Sequence, residues 1–283
     1  MSARVVLLTG AARGLGKAMA LALLEEGHRL ILSATDRAAL DEVISESGAG
    51  PDRAVAIPVD LSAEGAAERL ADEASAVFGP IDALVNNAGI GPDRLTSDYL
   101  NKPFNFWDAH LELARTFYFV NALSPTLLAA RLVPTMIERG WGRIVGNTTS
   151  LDTMLRMSLY GGSKAGQEAE IAAMAYNLAG TGVTANAIIP GGATASRMTD
   201  NVGLPREDVF PASIMAGPIR FLISDASNGF SGRRMLAIRW EEGLPVEEAA
   251  AKASDPIAWT GFGAQGVHPK STATMFRRDG SAS

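Results

Sequence analysis

The chain has 283 residues, of which 47% are hydrophobic and 20% charged, and its net charge at pH 7 is −6. This length suits one large α/β domain or two small ones with a sizeable core. The absence of cysteine excludes disulfides, catalytic thiolates and thiolate metal sites. The acidic balance, without a basic stripe, argues against a nucleic acid as partner.

The sequence indicates neither a metal site nor a segment that spans or crosses a membrane. The three histidines, His28, His110 and His268, are too scattered to predict a metal site. No uninterrupted apolar stretch approaches the roughly 20 residues that span a bilayer, and the N-terminal residues do not resemble a signal peptide. We therefore expect a cytoplasmic protein with neither a metal nor a membrane partner.

Short apolar runs alternate with segments of helical periodicity along the chain. The predicted strands are Arg4–Thr9, Arg29–Ala34, Ala54–Asp60, Ala83–Ala88, Arg143–Thr149, Val183–Pro190 and Arg234–Trp240. An apolar stripe on Leu15–Glu26 predicts a helix that Gly27 ends. Nearly continuous Val, Ile and Leu runs are typical of parallel strands covered on both faces. The alternation predicts an α/β, single-domain Rossmann fold, with a doubly wound, mostly parallel sheet and helices on both faces.

The predicted domain covers residues 1–240, and residues 241–283 form a C-terminal extension. Glu241–Ala253 is an acidic segment of helical character, followed by a Gly-, Ser- and Arg-rich end. Two interpretations of the extension stay open: a surface tail that is partly disordered, or an arm that packs on a neighbouring subunit or covers the site. Gly89–His110, a long polar and aromatic stretch, also departs from the regular alternation.

A glycine-rich turn joins the first strand to the first helix. Gly10, Gly14 and Gly16 have the spacing G-x-x-x-G-x-G. Glycines there allow a tight turn and close approach of the backbone to a pyrophosphate, which the N–H groups at the helix N-terminus would bind. An ordinary strand-to-helix loop can have a similar sequence, so the turn alone is a weak signal.

Six motifs follow one another along the chain: Thr9-Gly-x-x-x-Gly-x-Gly16, Asp60, Asn86-Asn87-Ala88-Gly89, Asn121, Tyr160-x-x-x-Lys164 and Pro190-Gly191. In these motifs the chain resembles the short-chain dehydrogenase/reductase superfamily of the classical, single-domain type, from about residue 4 to residue 240. The resemblance implies hydride transfer between C4 of a nicotinamide cofactor and a secondary alcohol or carbonyl carbon. It also implies a homo-oligomer formed through the helices that contain Asn121 and Tyr160.

The resemblance also implies which residues bind the cofactor. They are Gly10, Arg13, Gly14, Leu15, Gly16, Asp60, Leu61, Asn87, Ala88, Gly89, Tyr160, Lys164, Pro190, Gly191 and Thr194. Asp60 would accept a hydrogen bond from the adenine amino group, or it could simply cap the next helix. Asn87 and Gly89 would hold the end of the fourth strand beside the cofactor, although Asn86 and Asn87 could be plain turn residues. Thr194 would lie near the nicotinamide carboxamide.

The predicted catalytic residues are Asn121, Ser150, Tyr160 and Lys164. Tyr160 and Lys164 are four residues apart and share a helix face, so the cation is expected to lower the phenol pKa for proton transfer. By resemblance, Asn121 supports a water-mediated proton path to the lysine. The family's hydroxyl residue after the preceding strand is either Thr149 or Ser150, and Ser150 is favoured because serine is usual there.

NADP(H) is the preferred cofactor, with NAD(H) as the alternative. Ala34 stands where the resemblance would place an NAD-selecting aspartate, and Asp36, two residues later, could be a helix cap. The 2′-phosphate of NADP would meet Arg13 and, as an alternative or addition, Arg37. Hydroxyl groups from Ser33 or Thr35 would add to that site.

The substrate pocket is expected in the segments 89–110, 151–159 and 192–213. A mainly apolar lining is predicted from Phe104, Trp107, Met154, Leu155, Met157 and Met198. Arg156 and Arg197 could meet an acidic substrate, although solvated side chains are the simpler interpretation. The sequence does not identify the small-molecule alcohol or carbonyl substrate. Two other functions stay open: a non-redox enzyme of the same fold, such as an epimerase or dehydratase, and a catalytically silent dinucleotide-binding regulator.

Overall fold

One eight-stranded sheet organises the computed structural model, which describes residues 3–200 and 204–259. Its strands are β1 (Val5–Thr9), β2 (Arg29–Ala34), β3 (Ala54–Pro58), β4 (Ala83–Asn86), β5 (Gly142–Asn147), β6 (Val183–Ile189), β7 (Arg233–Leu236) and β8 (Ser254–Pro256). They lie side by side in the order β3-β2-β1-β4-β5-β6-β7-β8. All neighbouring strands are parallel except β8, which is antiparallel to β7.

Helices connect the strands and cover the sheet. They are α1 (Gly14–Glu25), α2 (Arg37–Ser47), α3 (Ala66–Phe78), α4 (Leu111–Tyr118), α5 (Ser124–Glu138), α6 (Leu151–Arg156), α7 (Tyr160–Asn177), α8 (Arg197–Asp200), α9 (Ala216–Ile223) and α10 (Val246–Ala253). A π-helical turn, Phe119–Leu123, joins α4 to α5. Gly27, with a φ of +87°, follows α1 as the sequence predicts.

Two apolar layers, one on each face of the sheet, form the core. Along β1, Val6 and Leu8 pack in the layer under α1, α2, α9 and α10, whereas Leu7 packs in the layer under α3, α5 and α7. Because both faces are covered, successive residues of a strand are all buried, which explains the nearly continuous apolar runs in the sequence. The predicted doubly wound Rossmann fold is confirmed.

The strand order places the functional crevice. β1 lies between β2 and β4, so the connections after β1 and β4 leave the sheet in opposite directions. In such sheets, ligands bind beyond the carboxyl ends of the strands at this switch point. Gly10 follows β1 there, and Asn87 follows β4.

Several predicted strands end too late, and one such error bears on the site. β5 ends at Asn147, so the two candidate hydroxyl residues, Thr149 and Ser150, lie in the connection to α6. β3 ends at Pro58, which leaves Asp60 in a turn. β7 ends at Leu236 because Ala237–Arg239 forms a 3₁₀ turn.

Residues 241–259 of the predicted extension pack on the main sheet. Ala249, Ala250 and Ala253 of α10 are buried, and β8 pairs with β7. The helix begins at Val246, later than the acidic segment at 241, because Pro245 immediately precedes it. Residues 260–283 lie outside the described residues, so the arm and the disordered tail both stay predictions for that part.

The continuous helical stretch Leu111–Glu138 is 28 residues long, and its most apolar window has a mean hydropathy of 1.2. Length and composition alone would allow it to cross a bilayer. In the structure 44% of that window is buried, and its C-terminal half contributes Leu128, Ala129, Leu132 and Met136 to the core beside the sheet. A buried core helix meets the same criteria of length and hydropathy. The expectation that the protein has no membrane partner therefore stays a prediction.

The buried imidazole of His28 predicts an acid-sensitive fold. Its Nδ1 accepts the backbone N–H of Arg4 at 3.1 Å, and burial lowers the pKa of His28 from its ordinary value of 6.5. The folded state therefore binds a proton less readily than the unfolded chain, so stability is full above pH ~6.5 and falls below it. Urea unfolding at pH 7.5 and 5.5 should show this loss, and His28→Asn should reduce it.

Both proteins are measured at both pH values, so that the pH dependence of every other group cancels in the comparison. An equal pH dependence in His28→Asn and the wild-type protein would contradict the assignment to His28.

Candidate active site

A cavity of about 750 Å³ opens at the carboxyl ends of the parallel strands. Every predicted site residue except Asn121 lies on its wall: Gly10, Arg13, Gly14, Leu15, Gly16, Asp60, Leu61, Asn87, Ala88, Gly89, Ser150, Tyr160, Lys164, Pro190, Gly191 and Thr194. The size is ordinary for a site that binds a small molecule or cofactor. The sequence thus predicted side chains that the fold brings to one place.

The glycine turn is built from close backbone contacts. A Cβ atom on Gly16 would lie 2.0 Å from the carbonyl oxygen of Gly10, so only glycine allows α1 to begin so close to β1. Gly14 has a φ of +52°, and a Cβ there would have no neighbour nearer than 3.5 Å. Arg13, the N-cap of α1, makes no side-chain cap hydrogen bond, which leaves the positive end of the helix facing the cavity.

The amide of Asn87 joins three strand ends. Its Nδ2 donates to the carbonyl oxygens of Thr9, at 3.1 Å, and Gly10, at 3.0 Å. Its Oδ1 accepts from Nδ2 of Asn147 at 2.9 Å. The Thr9 hydroxyl accepts the backbone N–H groups of Asn87 and Ala88 in return. The ends of β1, β4 and β5 are therefore held in a fixed relation.

Asn121 lies in the π-helical turn, fully buried and behind the cavity wall. Its Oδ1 accepts the N–H of Ile90 at 2.9 Å, and its Nδ2 donates to the carbonyl of Ile90 and to the Ser163 hydroxyl, both at 3.0 Å. The side chain fastens the segment after β4 to α7. Its predicted part in a proton path stays a prediction.

A strained turn places Tyr160 at the start of α7. Leu159 has φ +60° and ψ −56°, and the N–H of Tyr160 donates to the carbonyl of Ser158 at 2.7 Å. This is a γ-turn of the rare form that strains a residue with a side chain. Such strain at a single position is typical of functional sites, where the surrounding structure maintains it.

Lys164 is buried one turn after Tyr160. Its Nζ donates to the carbonyl oxygen of Asn147 at 2.8 Å and to Oε1 of Gln167 at 3.0 Å. Burial lowers the pKa of Lys164 to about 8. The ammonium therefore titrates near the physiological range, which is unusual for lysine and common at catalytic sites.

The expectation that Lys164 lowers the pKa of Tyr160 is wrong for this structure. Burial raises the pKa of Tyr160 to about 12, and the negative charges of an ionised Tyr99 and of Asp93 add to the rise. The Lys164 ammonium is directed at Asn147 and Gln167. Desolvation of the phenolate therefore outweighs any attraction from the cation.

The hydroxyl beside Tyr160 belongs to Thr149. A hydrogen bond from the Thr149 side chain opposes the rise in the pKa of Tyr160. Ser150, which the sequence analysis favours, is the N-cap of α6: its Oγ accepts the N–H of Thr153 at 3.2 Å and contacts the Thr153 hydroxyl at 2.9 Å. The structure therefore favours Thr149 over Ser150, because the capping bonds engage the serine hydroxyl.

At the end of the cavity near β2, the charged side chains differ in whether they already have a hydrogen-bond or ion-pair partner. Asp36 caps α2 by accepting the N–H of Ala39 at 3.1 Å. Arg37 is paired with Asp41 at 2.9 Å and is off the cavity wall. Arg13, on the wall, has no ion pair with a described residue. Of the two candidate arginines, Arg13 is the one available to an anion.

Asp60 lies on the same wall in a tight turn. Its Oδ1 accepts from the N–H and hydroxyl of Ser62, at 2.9 and 2.7 Å, and these bonds lower the pKa of Asp60. The helix-cap alternative for Asp60 is wrong, because α3 begins at Ala66 with Gly65 as its N-cap.

Past the end of β6, the cavity wall includes the predicted site residues Pro190, Gly191 and Thr194. Gly191 has a φ of +91°, and a Cβ there would lie 2.4 Å from Ile238. The Thr194 hydroxyl donates to the carbonyl of Gly192 at 3.0 Å. These contacts give the segment a defined shape against β7 and the turn that follows it.

Two contacts join the long segment after β4 to α8 across the outer part of the cavity. Tyr99 donates to the carbonyl of Met198 at 2.9 Å, and Arg197 pairs with Asp93 at 3.5 Å. The predicted apolar lining is right for Met157 and Met198. It is wrong for Phe104, Trp107, Met154 and Leu155, which are off the wall. Arg156 is also off the wall.

Comparison with known proteins identifies the family. The short chain dehydrogenase family model matches residues 4–206. The chain belongs to this family. It is 32% identical to a 3-oxoacyl-[acyl-carrier-protein] reductase of Synechocystis sp. over 241 residues, 81% of this chain and 93% of the relative. It is 34% identical to a ketoacyl reductase of Nostoc sp. over 202 residues, 70% and 67% of the two chains.

A solved structure agrees with the sequence comparisons. A 3-ketoacyl-(acyl-carrier-protein) reductase of Brucella melitensis, crystallised with NADH, superimposes with a TM-score of 0.71 at 25% identity. The alignment covers 82% of this chain and 95% of that one. The predicted family resemblance and the classification as an oxidoreductase are confirmed.

Sequence reasoning missed four polar residues at the site of this short-chain dehydrogenase. Asn147 lies on the cavity wall, whereas Gln167, Glu168 and Arg234 lie behind it. Asn147 ends an apolar strand, and Arg234 directly precedes the apolar residues of β7. Polar residues in such positions are a usable signal, because a buried polar group requires a partner.

Gly16→Ala should destabilise this short-chain dehydrogenase by about 1–3 kcal/mol, because the added methyl group overlaps the Gly10 carbonyl and the turn must shift. Gly166→Ala in α7 is the matched control: its Cβ would have its nearest neighbour at 3.8 Å, and alanine favours the helix. Thermal unfolding should show a lower Tm for the first variant and an equal or higher Tm for the second. Equal Tm values for Gly16→Ala and the wild-type protein would contradict the turn geometry.

Proposed function

We propose that this short-chain dehydrogenase uses NADP(H) to reduce a carbonyl, or to oxidise the corresponding secondary alcohol, with Tyr160 as general acid or base. The observation that carries the proposal is the arrangement of Tyr160, Thr149 and Lys164 on one wall of the cavity that begins at the glycine turn. The names of the relatives, reductases acting on ketoacyl substrates, support this reaction class.

The residues present fit a dinucleotide. The N–H groups at the start of α1, next to Gly14, would hold the pyrophosphate. Asp60 would accept from the adenine amino group, Lys164 would bind the nicotinamide ribose, and Thr194 would face the carboxamide. When bound, the nicotinamide ring supplies or accepts the hydride at its C4. The NADH in the Brucella melitensis relative supports this assignment.

In the proposed reaction, Tyr160 is the residue that transfers the proton. With its pKa raised to about 12 by burial, the phenol carries its proton at neutral pH and is ready to donate it to the oxygen of a carbonyl substrate. The Thr149 hydroxyl would hold the same oxygen. Lys164 carries a positive charge below its pKa of about 8, which stabilises the negative charge that develops on Tyr160 as the proton leaves. This protonation state favours the reductive direction.

The charges at the adenosine end support NADP(H). The Arg13 side chain is exposed on the wall, near Ser33 and Thr35, without an ion-pair partner among the described residues. Asp36, the nearest carboxylate at the end of β2, is committed to capping α2. A 2′-phosphate would give Arg13 a partner with charge-assisted hydrogen bonds.

The proposed assembly is a homo-oligomer formed through α4, α5 and α7. Leu111, Tyr118 and Leu123 on the long helical stretch are each more than 40% exposed. Exposed apolar side chains on neighbouring turns of a helix are typical of a surface that another protein covers.

The cofactor assignment predicts a charge-dependent preference. In titrations followed by nicotinamide fluorescence, the wild-type protein should bind NADPH more tightly than NADH, and Arg13→Ala should weaken NADPH binding about 10- to 100-fold with little effect on NADH. Arg37→Ala is the matched control, since Arg37 is paired with Asp41 off the wall. Tighter NADH binding, unchanged in Arg13→Ala, would reverse the assignment.

The catalytic assignment predicts three different outcomes for three hydroxyl residues. Tyr160→Phe should lower kcat by about 10²- to 10⁴-fold and leave NADPH affinity unchanged. Thr149→Ala should lower kcat strongly, while Thr149→Ser retains most of it. Ser150→Ala should cost about 1 kcal/mol of stability through the lost cap and leave kcat near the wild-type value. A larger loss of kcat in Ser150→Ala than in Thr149→Ala would contradict the choice of Thr149.

A further inference from the structure

An ion pair is buried directly behind the cavity wall that carries Thr149, Tyr160 and Lys164. Glu168 of α7 is fully buried, and the side chain of Arg234 of β7 is 15% exposed. Arg234 Nε lies 2.9 Å from Oε1 of Glu168. Burying two charges has a large desolvation penalty, and such a pair often stabilises a fold no better than apolar residues of similar volume. Any further role of this ion pair is therefore expected to lie in the other hydrogen bonds of its two side chains.

Both members of the pair also bind the residues that follow β5. Glu168 Oε2 accepts the hydroxyl hydrogen of Thr148 at 3.1 Å. The second arm of Arg234 donates to the carbonyl oxygen of Thr149 at 3.1 Å. The ion pair thus holds two successive residues of the short connection between β5 and α6, one through its side chain and one through its backbone.

This connection has few other restraints. Beyond Asn147, the connection is bonded to the sheet through the N–H of Thr148, which donates to the carbonyl oxygen of Ile188 at 3.0 Å. The next fixed point is Ser150, the N-cap of α6. The direction of the Thr149 carbonyl sets the plane of its peptide, and with it the direction in which the Thr149 side chain leaves the backbone.

The same helix carries both parts of the catalytic pair and one half of the ion pair. Glu168 follows Lys164 by four residues on α7 and therefore lies on the same face, one turn further on. Lys164 binds the carbonyl of Asn147, Glu168 binds Thr148, and Arg234 binds Thr149. The last residue of β5 and the two residues that follow it are thus held by α7 and its ion-pair partner.

We propose that Arg234 and Glu168 are positioning residues for the proposed reaction, which hold the Thr149 hydroxyl in place beside Tyr160. The inference rests on the proposed function for its kinetic consequence. A displacement of a reacting group by about 1 Å costs about 10²-fold in rate, so a network that fixes this hydroxyl affects kcat without touching substrate or cofactor.

The decisive variant replaces both charges, as Glu168→Met with Arg234→Met. Each single change leaves a buried charge without its partner and should lower Tm, whereas the double change should restore much of the loss. If the pair positions Thr149, kcat of the double variant falls by at least about tenfold, while the KM for NADPH stays within about twofold of wild type. Recovery of both Tm and kcat would show a purely structural pair and overturn the inference.

A milder variant keeps the inference testable if the double variant does not fold. Arg234→Lys retains the charge opposite Glu168 but has a single terminal nitrogen in place of the fork that also reaches Thr149. It should fold and lose kcat at nearly unchanged KM. An unchanged kcat in Arg234→Lys would overturn the inference.

Crystal structures of the folded variants separate this inference from the proposed function. The Thr149 hydroxyl should move by about 1 Å or more relative to Tyr160, a displacement that matters for catalysis. An unmoved hydroxyl overturns the inference whether or not the wild-type protein turns over a substrate. A moved hydroxyl in a protein whose wild type transfers no hydride supports the positioning and rejects the proposed function.

Arg139→Met is the matched control. Arg139 also binds a carboxylate, that of Asp82 at 2.6 Å, and a backbone carbonyl, that of Thr135 at 3.0 Å. It lies near the opposite end of the sheet, before β5. This variant should lose stability and keep kcat, and it thereby shows that loss of stability alone does not reduce the rate at the assay temperature.

Discussion

The site of this short-chain dehydrogenase depends on one amide side chain. Asn87 donates both hydrogens of its Nδ2 to the carbonyl oxygens of Thr9 and Gly10, and its Oδ1 accepts from Asn147. These bonds connect the turn after β1, the end of β4 and the end of β5. Because the glycine turn and the connection that contains Thr149 both begin at these strand ends, their separation is set by a single planar group.

Burial determines the electrostatics that follow from this geometry. The raised pKa of Tyr160 and the lowered pKa of Lys164 have the same first cause, the loss of water around the charged form. Each group is thereby held in its neutral form over a wider pH range than in water. A phenol that keeps its proton suits the donor of a reduction, and a lysine with a pKa of about 8 is easily influenced by neighbouring charges.

Patterns within one element predicted the fold and most of the cavity wall. Glycine spacing, apolar runs and the Tyr160–Lys164 pair are local or helical signals, and the fold brings them together as expected. The choice between Thr149 and Ser150 stayed open in the sequence because it depends on where β5 ends and α6 begins, and β5 ends two residues before the predicted strand does. The expected lowering of the Tyr160 pKa was wrong because residue spacing indicates that two side chains are close but not how deeply they are buried.

The Glu168–Arg234 pair illustrates what sequence patterns could not provide. The two residues are 66 positions apart and lie on a helix and a strand that neighbour each other only in the folded sheet. Each has a plain surface interpretation on its own. Only their mutual contact and the bonds to Thr148 and Thr149 give them a role.

β8 has a consequence for how copies of the chain can meet. A strand at the edge of a sheet offers unpaired backbone groups to any other strand. Here β7, which would otherwise be the edge, is covered by three residues that include Asp255 and end at Pro256. A carboxylate and a residue without an N–H make that border a poor template for adding another strand. Within the part of the chain that the structure describes, this side of the sheet is thereby protected against edge-to-edge aggregation.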